Sequence, residues 1–246
     1  MTARLYVIPG SHPCECAEAA LRLKRVDYRR VDLVPVIHKL VVRARFPGTT
    51  VPALEVEGER IVGSRAILRR LDAIRPEPRL YPEDPELRAR VEDAEKWGDD
   101  LFQPLARRVA WALLSRDQDA MLSYSSEANL HMPQWFVRAG TRPVAAIATR
   151  FNRAGDENVR ADLRSLPAHL DQIDRWMDEG VLGGHTPNAA ELQIGSTILL
   201  LGTFADLAPL LAGRQCVRLG ERGFAPPVGA VPAGTLPAAW LPQPSA

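Results

Sequence analysis

Residues 75–86, RPEPRLYPEDPE, carry four prolines in twelve positions, and no helix or central strand runs through such a stretch. The chain therefore divides there, and the two sides are patterned differently. Before the break, short β-prone runs alternate with helical ones. After it, every periodic segment is helical. The expected organisation is a mixed α/β domain at 1–75, a linker at 76–86, an all-helical domain at 87–214 and a Pro/Gly/Ala-rich tail at 215–246 without period, read as extended or disordered.

The N-terminal part reads βαβαββα. Leu5 to Ile8 is a strand closed by Pro9-Gly10, and Ser11 is an N-cap with Pro13 in the first turn of a helix reaching about Lys24. Cys14, Ala17 and Leu21 form its buried face. Tyr28 to Leu33 is a second strand. Val36 to Phe46 is a weaker helix with Ile37, Leu40 and Val41 on one side. Val51 to Val56 and Arg60 to Val62 are strands joined by a Glu57-Gly58 hairpin turn. Ser64 then caps a helix whose apolar face is Ile67, Leu71 and Ile74. In the second half, Leu87 to Val109 is one long amphipathic helix bent at Pro104. Pro143 to Phe151 is a shorter helix, and a stripe from Leu163 to Met177 is interrupted by Pro167. Ala189 to Phe204, apolar nearly all round, belongs in the middle of a bundle.

Composition narrows the function classes. The formal net charge is +1, so no overall field draws the chain to nucleic acid or to an anionic membrane. Only three of the 31 cationic residues are Lys, a bias consistent with a GC-rich bacterial coding sequence. Cys14, Cys16 and Cys216 are too few for a disulfide framework or a structural zinc site. Cys14 and Cys16 lie about 200° apart around a helix, too far round to share a metal or a disulfide. No apolar run approaches a membrane span, and a cytoplasmic location is the expectation.

Ser11-His12-Pro13-Cys14, after the first strand at a helix N-terminus, resembles the Ser-x-x-Cys of glutathione S-transferases. Three further segments match that family in order: Thr50-Val51-Pro52-Ala53-Leu54 resembles its Val-Pro-x-Leu, Gly63-Ser64-Arg65-Ala66-Ile67 its Glu-Ser-x-Ala-Ile, and Pro187 to Leu192 its Pro-Thr-x-Ala-Asp-Leu. Within the last, Asn188 and Glu191 have capping-box spacing. The resemblance covers about residues 4–205 and implies a thioredoxin-like N-terminal domain followed by a helical bundle.

The resemblance also implies a chemistry. Ser11 is the catalytic residue, orienting the thiolate of bound glutathione, which serves as co-substrate with no other cofactor and no metal. Val51, ahead of a cis Pro52, pairs with the peptide like an added strand, Gly63 and Ser64 meet its γ-glutamyl end, and His38 lies toward its glycine carboxylate. The partners implied are glutathione or another low-molecular-weight thiol, a small electrophilic substrate and a second copy in a homodimer. Gly63 departs from the acidic residue usual there, which favours as the alternative a non-catalytic binding or assembly module. His12 is expected partly exposed, Cys16 partly exposed and incidental, and Arg69-Arg70 and Arg107-Arg108 solvated. Trp97, Phe102, Leu105 and Trp111 are read as bundle core, with one or two left to line an acceptor pocket.

Overall fold

The computed structural model describes residues 3–130 and 133–242. The N-terminal domain is a four-stranded sheet in the order β2-β1-β3-β4. β1 (Ala3–Val7) pairs parallel with β2 (Tyr28–Asp32) and antiparallel with β3 (Ala53–Val56), which continues antiparallel into β4 (Glu59–Val62). The β3–β4 turn places Glu57 and Gly58 at φ 51° and 81°, the left-handed pair that a two-residue hairpin demands.

Alternation along β1 sorts its side chains to two faces. Leu5 and Val7 meet Cys14, Ala17 and Leu21 of α1 (His12–Leu23) and Ile67, Leu68 and Leu71 of α3 (Ser64–Ile74). Tyr6 turns the other way, edge-on to Phe46 at 5.1 Å, beneath α2 (His38–Arg45). Val42 is the residue that α2 buries, whereas Ile37 and Leu40, expected on its inner side, are 52% and 74% exposed. The reason is that Val36 sits at φ 72° and delays the start of the helix to His38, which rotates the inner face.

The proline-rich segment is anchored. The Lys24 side chain is fully buried at the end of α1. Its Nζ donates to Asp72 Oδ1 at 2.6 Å and to the carbonyls of Arg75, Pro76 and Pro78 at 2.7, 3.3 and 2.6 Å. Leu80 and Tyr81 are buried behind it, and the Tyr81 hydroxyl donates to Glu95 Oε1 at 2.7 Å.

Asp84 caps α4 (Pro85–Trp97), accepting from the Leu87 N–H at 2.8 Å. The expected bend at Pro104 is a π-helical turn, Gly98–Phe102, in which the Gln103 N–H reaches back to the Gly98 carbonyl. Proline cannot donate to the carbonyl four residues before it, and the wider turn accommodates that loss. α5 (Gln103–Arg116), α6 (Gln118–Ser123), α7 (Gln134–Phe151) and α8 (Asp156–Asp178) follow. α7 and α8 run unbroken through Pro143 and Pro167, so neither proline ends its helix. Burial of Leu163, Leu166, Leu170 and Ile173 holds α8 across the missing bond.

α9 (Ala189–Gly202) is buried along most of its length and touches both domains, with Ala189 and Leu192 in the core of the first. Its cap is as the spacing predicts, the Glu191 N–H donating to Asn188 Oδ1 at 3.0 Å. α10 (Ala208–Leu211) precedes a tail that is not free of the fold. Its Gln215–Glu221 segment is a 3-10 helix laid on α9, and Val231 and Leu236 are buried. The approach depends on two glycines: a Cβ on Gly195 would stand 2.6 Å from the Leu219 carbonyl, and one on Gly220 2.9 Å from the Leu199 nitrogen. No helix among the described residues is long and apolar enough to cross a membrane.

Candidate functional site

Between the two domains lies a cavity of about 630 Å³, into which Ser11, His38, Val51, Pro52, Gly63 and Ser64 all open. Six residues spread over 54 positions of sequence therefore meet at one place. The strand register is what brings them together. Ala53 pairs with Val62, and the Gly63 N–H donates to the Pro52 carbonyl at 2.9 Å, so the start of β3 lies beside the start of α3. The Val51–Pro52 bond is cis. Among the described residues, no main-chain hydrogen bond ties down Val51.

Ser11 precedes α1 in extended conformation, and its side chain makes no capping bond. Its hydroxyl lies against Cys14, whose thiol burial pushes up to about 12. Cys14 is thus a neutral, buried thiol and no nucleophile. In the first turn Pro13 has no N–H and the Cys14 N–H is given to the Ser11 carbonyl at 2.8 Å, leaving the His12 N–H as its remaining main-chain donor.

Ser64 does not cap α3. The cap position is Gly63, at φ 95° and ψ 142°, and Ser64 is the first helical residue, 3% exposed and without a cap bond. The hairpin delivers the chain to α3 through a conformation that suits glycine, one residue earlier than the sequence pattern suggests. His38 is half-buried, and burial pulls its imidazole down to about 4, with the Lys39 charge adding to the effect. It is neutral near pH 7. The cation beside it is Lys39, which also lines the cavity and packs over the Phe151 ring at 4.0 Å.

Two expectations in the first helix are corrected. His12 is 3% exposed, wedged toward α5, and burial together with the Arg107 charge holds it well below its usual range. Cys16 is fully buried and donates to Gln193 Oε1 at 3.4 Å across the domain boundary. Two helices of the other domain, α5 beside His12 and α9 beside Cys16, occlude them, which a single-helix view cannot include.

Arg69 and Arg70 lie on an exposed face as expected, with ion-pair partners, whereas Arg107 and Arg108 do not. Arg108 makes a two-pronged pair with Asp162 at 2.6 and 2.7 Å, and Arg69 reaches Glu92 and buried Glu95 at 3.5 and 3.2 Å. Arg107 faces the cavity with Asp99, Gln103, Trp111 and Leu114. These five recur at intervals of three and four along one helical face, the signal that could have found them. Of the aromatic stripe, Phe102 and Leu105 are core, Trp97 packs against that core, and Trp111 lines the cavity.

A thioredoxin-like domain and an all-helical domain sharing one cavity, with a cis-proline loop beside a serine at a helix start, define the class of protein. Over its first domain the chain is similar to the glutathione S-transferase family, and the fold of the whole is the one that family's solved structures share. Residues 5–79 match the model of the glutathione S-transferase N-terminal domain. Maleylacetoacetate isomerase from Mus musculus is 40% identical over 80 residues, 29% of this chain and 36% of its own length. The chain spans between about a third and a half of the length of the curated relatives it matches.

Solved structures share the fold throughout. A glutathione S-transferase from Rhodospirillum rubrum F11 superposes with TM-score 0.59 at 21% identity, over 97% of this chain and 99% of that one. One from Methylobacterium radiotolerans in complex with glutathione sulfonate gives 0.59 at 19% identity, over 95% and 97%.

Proposed function

We propose that this chain binds glutathione, or a related thiol peptide, and adds its sulfur to a small electrophilic substrate held by the helical domain. The observation that carries this is the untied main chain of Val51, which opens on the same cavity as Ser11 and Ser64. An extended peptide pairing with Val51 would point its sulfur toward Ser11 and its terminal carboxylate toward Ser64 and the start of α3. The Ser11 hydroxyl, whose neighbour is a neutral thiol, loses little by turning its proton to a thiolate. That hydrogen bond and the His12 N–H stabilise the anion, and the freed thiolate is the nucleophile. The glutathione sulfonate bound in the Methylobacterium radiotolerans relative supports the choice of peptide.

Calorimetric titration with glutathione, followed by a conjugation assay with a chloronitroarene, tests the reading. Ser11→Ala should lower kcat about ten-fold or more, roughly 1.4 kcal/mol in barrier, with a much smaller change in Kd. Absence of glutathione binding by the parent protein would instead favour the non-catalytic module. A second reading draws on the stretch matched by maleylacetoacetate isomerase. The same thiolate adds reversibly to a conjugated double bond, lets it rotate and leaves. Loss of a cis-enone without net consumption of glutathione distinguishes this reaction from conjugation.

A further inference from the structure

Among the residues that line the cavity, α5 and the first turn of α1 contribute polar side chains that keep unpartnered atoms. Among the described residues Arg107 has no carboxylate within ion-pair distance, and it donates a hydrogen bond to Gln103 Oε1 at 3.2 Å. Gln103 is 2% exposed, and its Nε2 has no hydrogen-bond partner among the described residues. His12, 3% exposed, likewise has an unpartnered Nε2. Burial lowers Arg107 from its ordinary range, so the guanidinium stands where water solvates it poorly. A half-buried cation beside an unpartnered amide donor costs free energy until an anion arrives.

The charges facing this spot are few. Asp99 lines the same cavity, but its Oδ1 accepts from Gln193 Nε2 at 3.2 Å, and burial raises its pKa. It offsets Arg107 only in part and at longer range. Lys39 and neutral His38 line the same cavity from α2. The helical domain adds a largely apolar wall, with Trp111, Leu114, Phe136, Val144 and Phe151.

We propose that Arg107 and Gln103 form a subsite for a carboxylate carried by the acceptor substrate, which is therefore an apolar, unsaturated or aromatic acid. The subsite deepens the functional reading above and rests on it for the thiol that would react there. The guanidinium and the Gln103 amide donate to the two carboxylate oxygens, while the rest of the molecule lies on Trp111 and the apolar wall. The unpartnered His12 Nε2, on a neutral ring, accepts a hydrogen bond from any hydroxyl beside the acid.

The test uses cinnamate and cinnamamide, matched in shape and different in charge, titrated calorimetrically with the full chain, with and without glutathione. The parent should prefer cinnamate by about ten-fold or more, the worth of a charge-assisted pair in a poorly solvated site. Arg107→Met should remove that preference and leave cinnamamide binding within about two-fold, and Arg107→Lys should keep part of it. If Arg107→Met does not fold, Gln103→Leu serves instead and should reduce the preference several-fold. Equal binding of the two probes by the parent, or a preference that survives in Arg107→Met, overturns the subsite. So does equal binding joined to a loss of glutathione affinity in Arg107→Met, which assigns the cation to the thiolate. Cinnamate preference without any glutathione binding retains the subsite and rejects the thiol reading.

Discussion

Ser64→Ala separates a structural role from a binding role, and the geometry sets the size of each. A capping serine accepts a main-chain N–H of the first turn, and its loss typically costs about 1 kcal/mol. Here that bond is absent, because Gly63 holds the cap position and the Ser64 hydroxyl opens on the cavity. Alanine is also the better helix former at the position Ser64 occupies. The unfolding free energy should therefore change by less than about 0.5 kcal/mol, which for a chain of this size is under about 2 °C in Tm.

Affinity should behave in the opposite way. A hydroxyl donating to the γ-glutamyl carboxylate is a charge-assisted bond, and its loss should raise the Kd for glutathione by roughly ten-fold or more. The assay pairs thermal melts with calorimetric titration on the same variant, with a peptide lacking the γ-glutamyl carboxylate as control, expected to bind parent and variant equally. A Tm lowered by about 3 °C with unaltered glutathione affinity would refute the reasoning, because Ser64 would then stabilise the fold and not the ligand.

Lys24→Met should cost about 3–5 kcal/mol, since it leaves Asp72 and three linker carbonyls facing an apolar side chain; urea unfolding measures it, and a loss under about 1 kcal/mol would contradict the anchoring role. Gly63→Ala should cost about 1–3 kcal/mol from backbone conformation alone, because a Cβ there meets nothing within 4 Å. Free packing with no measurable loss in the same unfolding experiment would mean that the φ of 95° is not held. For His38, the folded imidazole is held to about 4 while the unfolded chain protonates near its ordinary 6.5. Its contribution to stability is full above about 6.5 and falls as the pH drops toward 4, so the stability difference between parent and His38→Gln should shrink or reverse across that window in unfolding curves. A pH-independent difference would show that burial does not depress the group.

What the sequence made legible follows its local rules. The Glu57-Gly58 turn, the cis-proline segment and the strand order announce themselves within a few residues, and together they place Ser11, Val51, Pro52 and Ser64 around one opening. What stayed hidden depends on contacts between distant parts. His12 and Cys16 look half-open on an isolated helix and become buried only when α5 and α9 close on α1. The tail lacks any period because its order comes from glycine-mediated contact with α9, not from a face of its own. Arg107 reads as one of a charged pair on a wet surface until the two domains are set side by side. Its partner Arg108, one residue and about 100° further round the same helix, finds Asp162 instead.

That small angle gives the π turn at Gly98–Phe102 a wider meaning. A π turn holds one more residue than the α turn it replaces. Loss of a single codon within it, such as that of half-exposed Leu101, would restore an ordinary turn and swing every later side chain of α5 by about 100° relative to α4. Arg107, Trp111 and Leu114 would leave the cavity together, and another set would enter, with the thiol-binding half untouched. The helix thus acts as a dial on which one notch exchanges the whole acceptor lining, so lineages with the same first domain can diverge in substrate through one in-frame deletion or insertion.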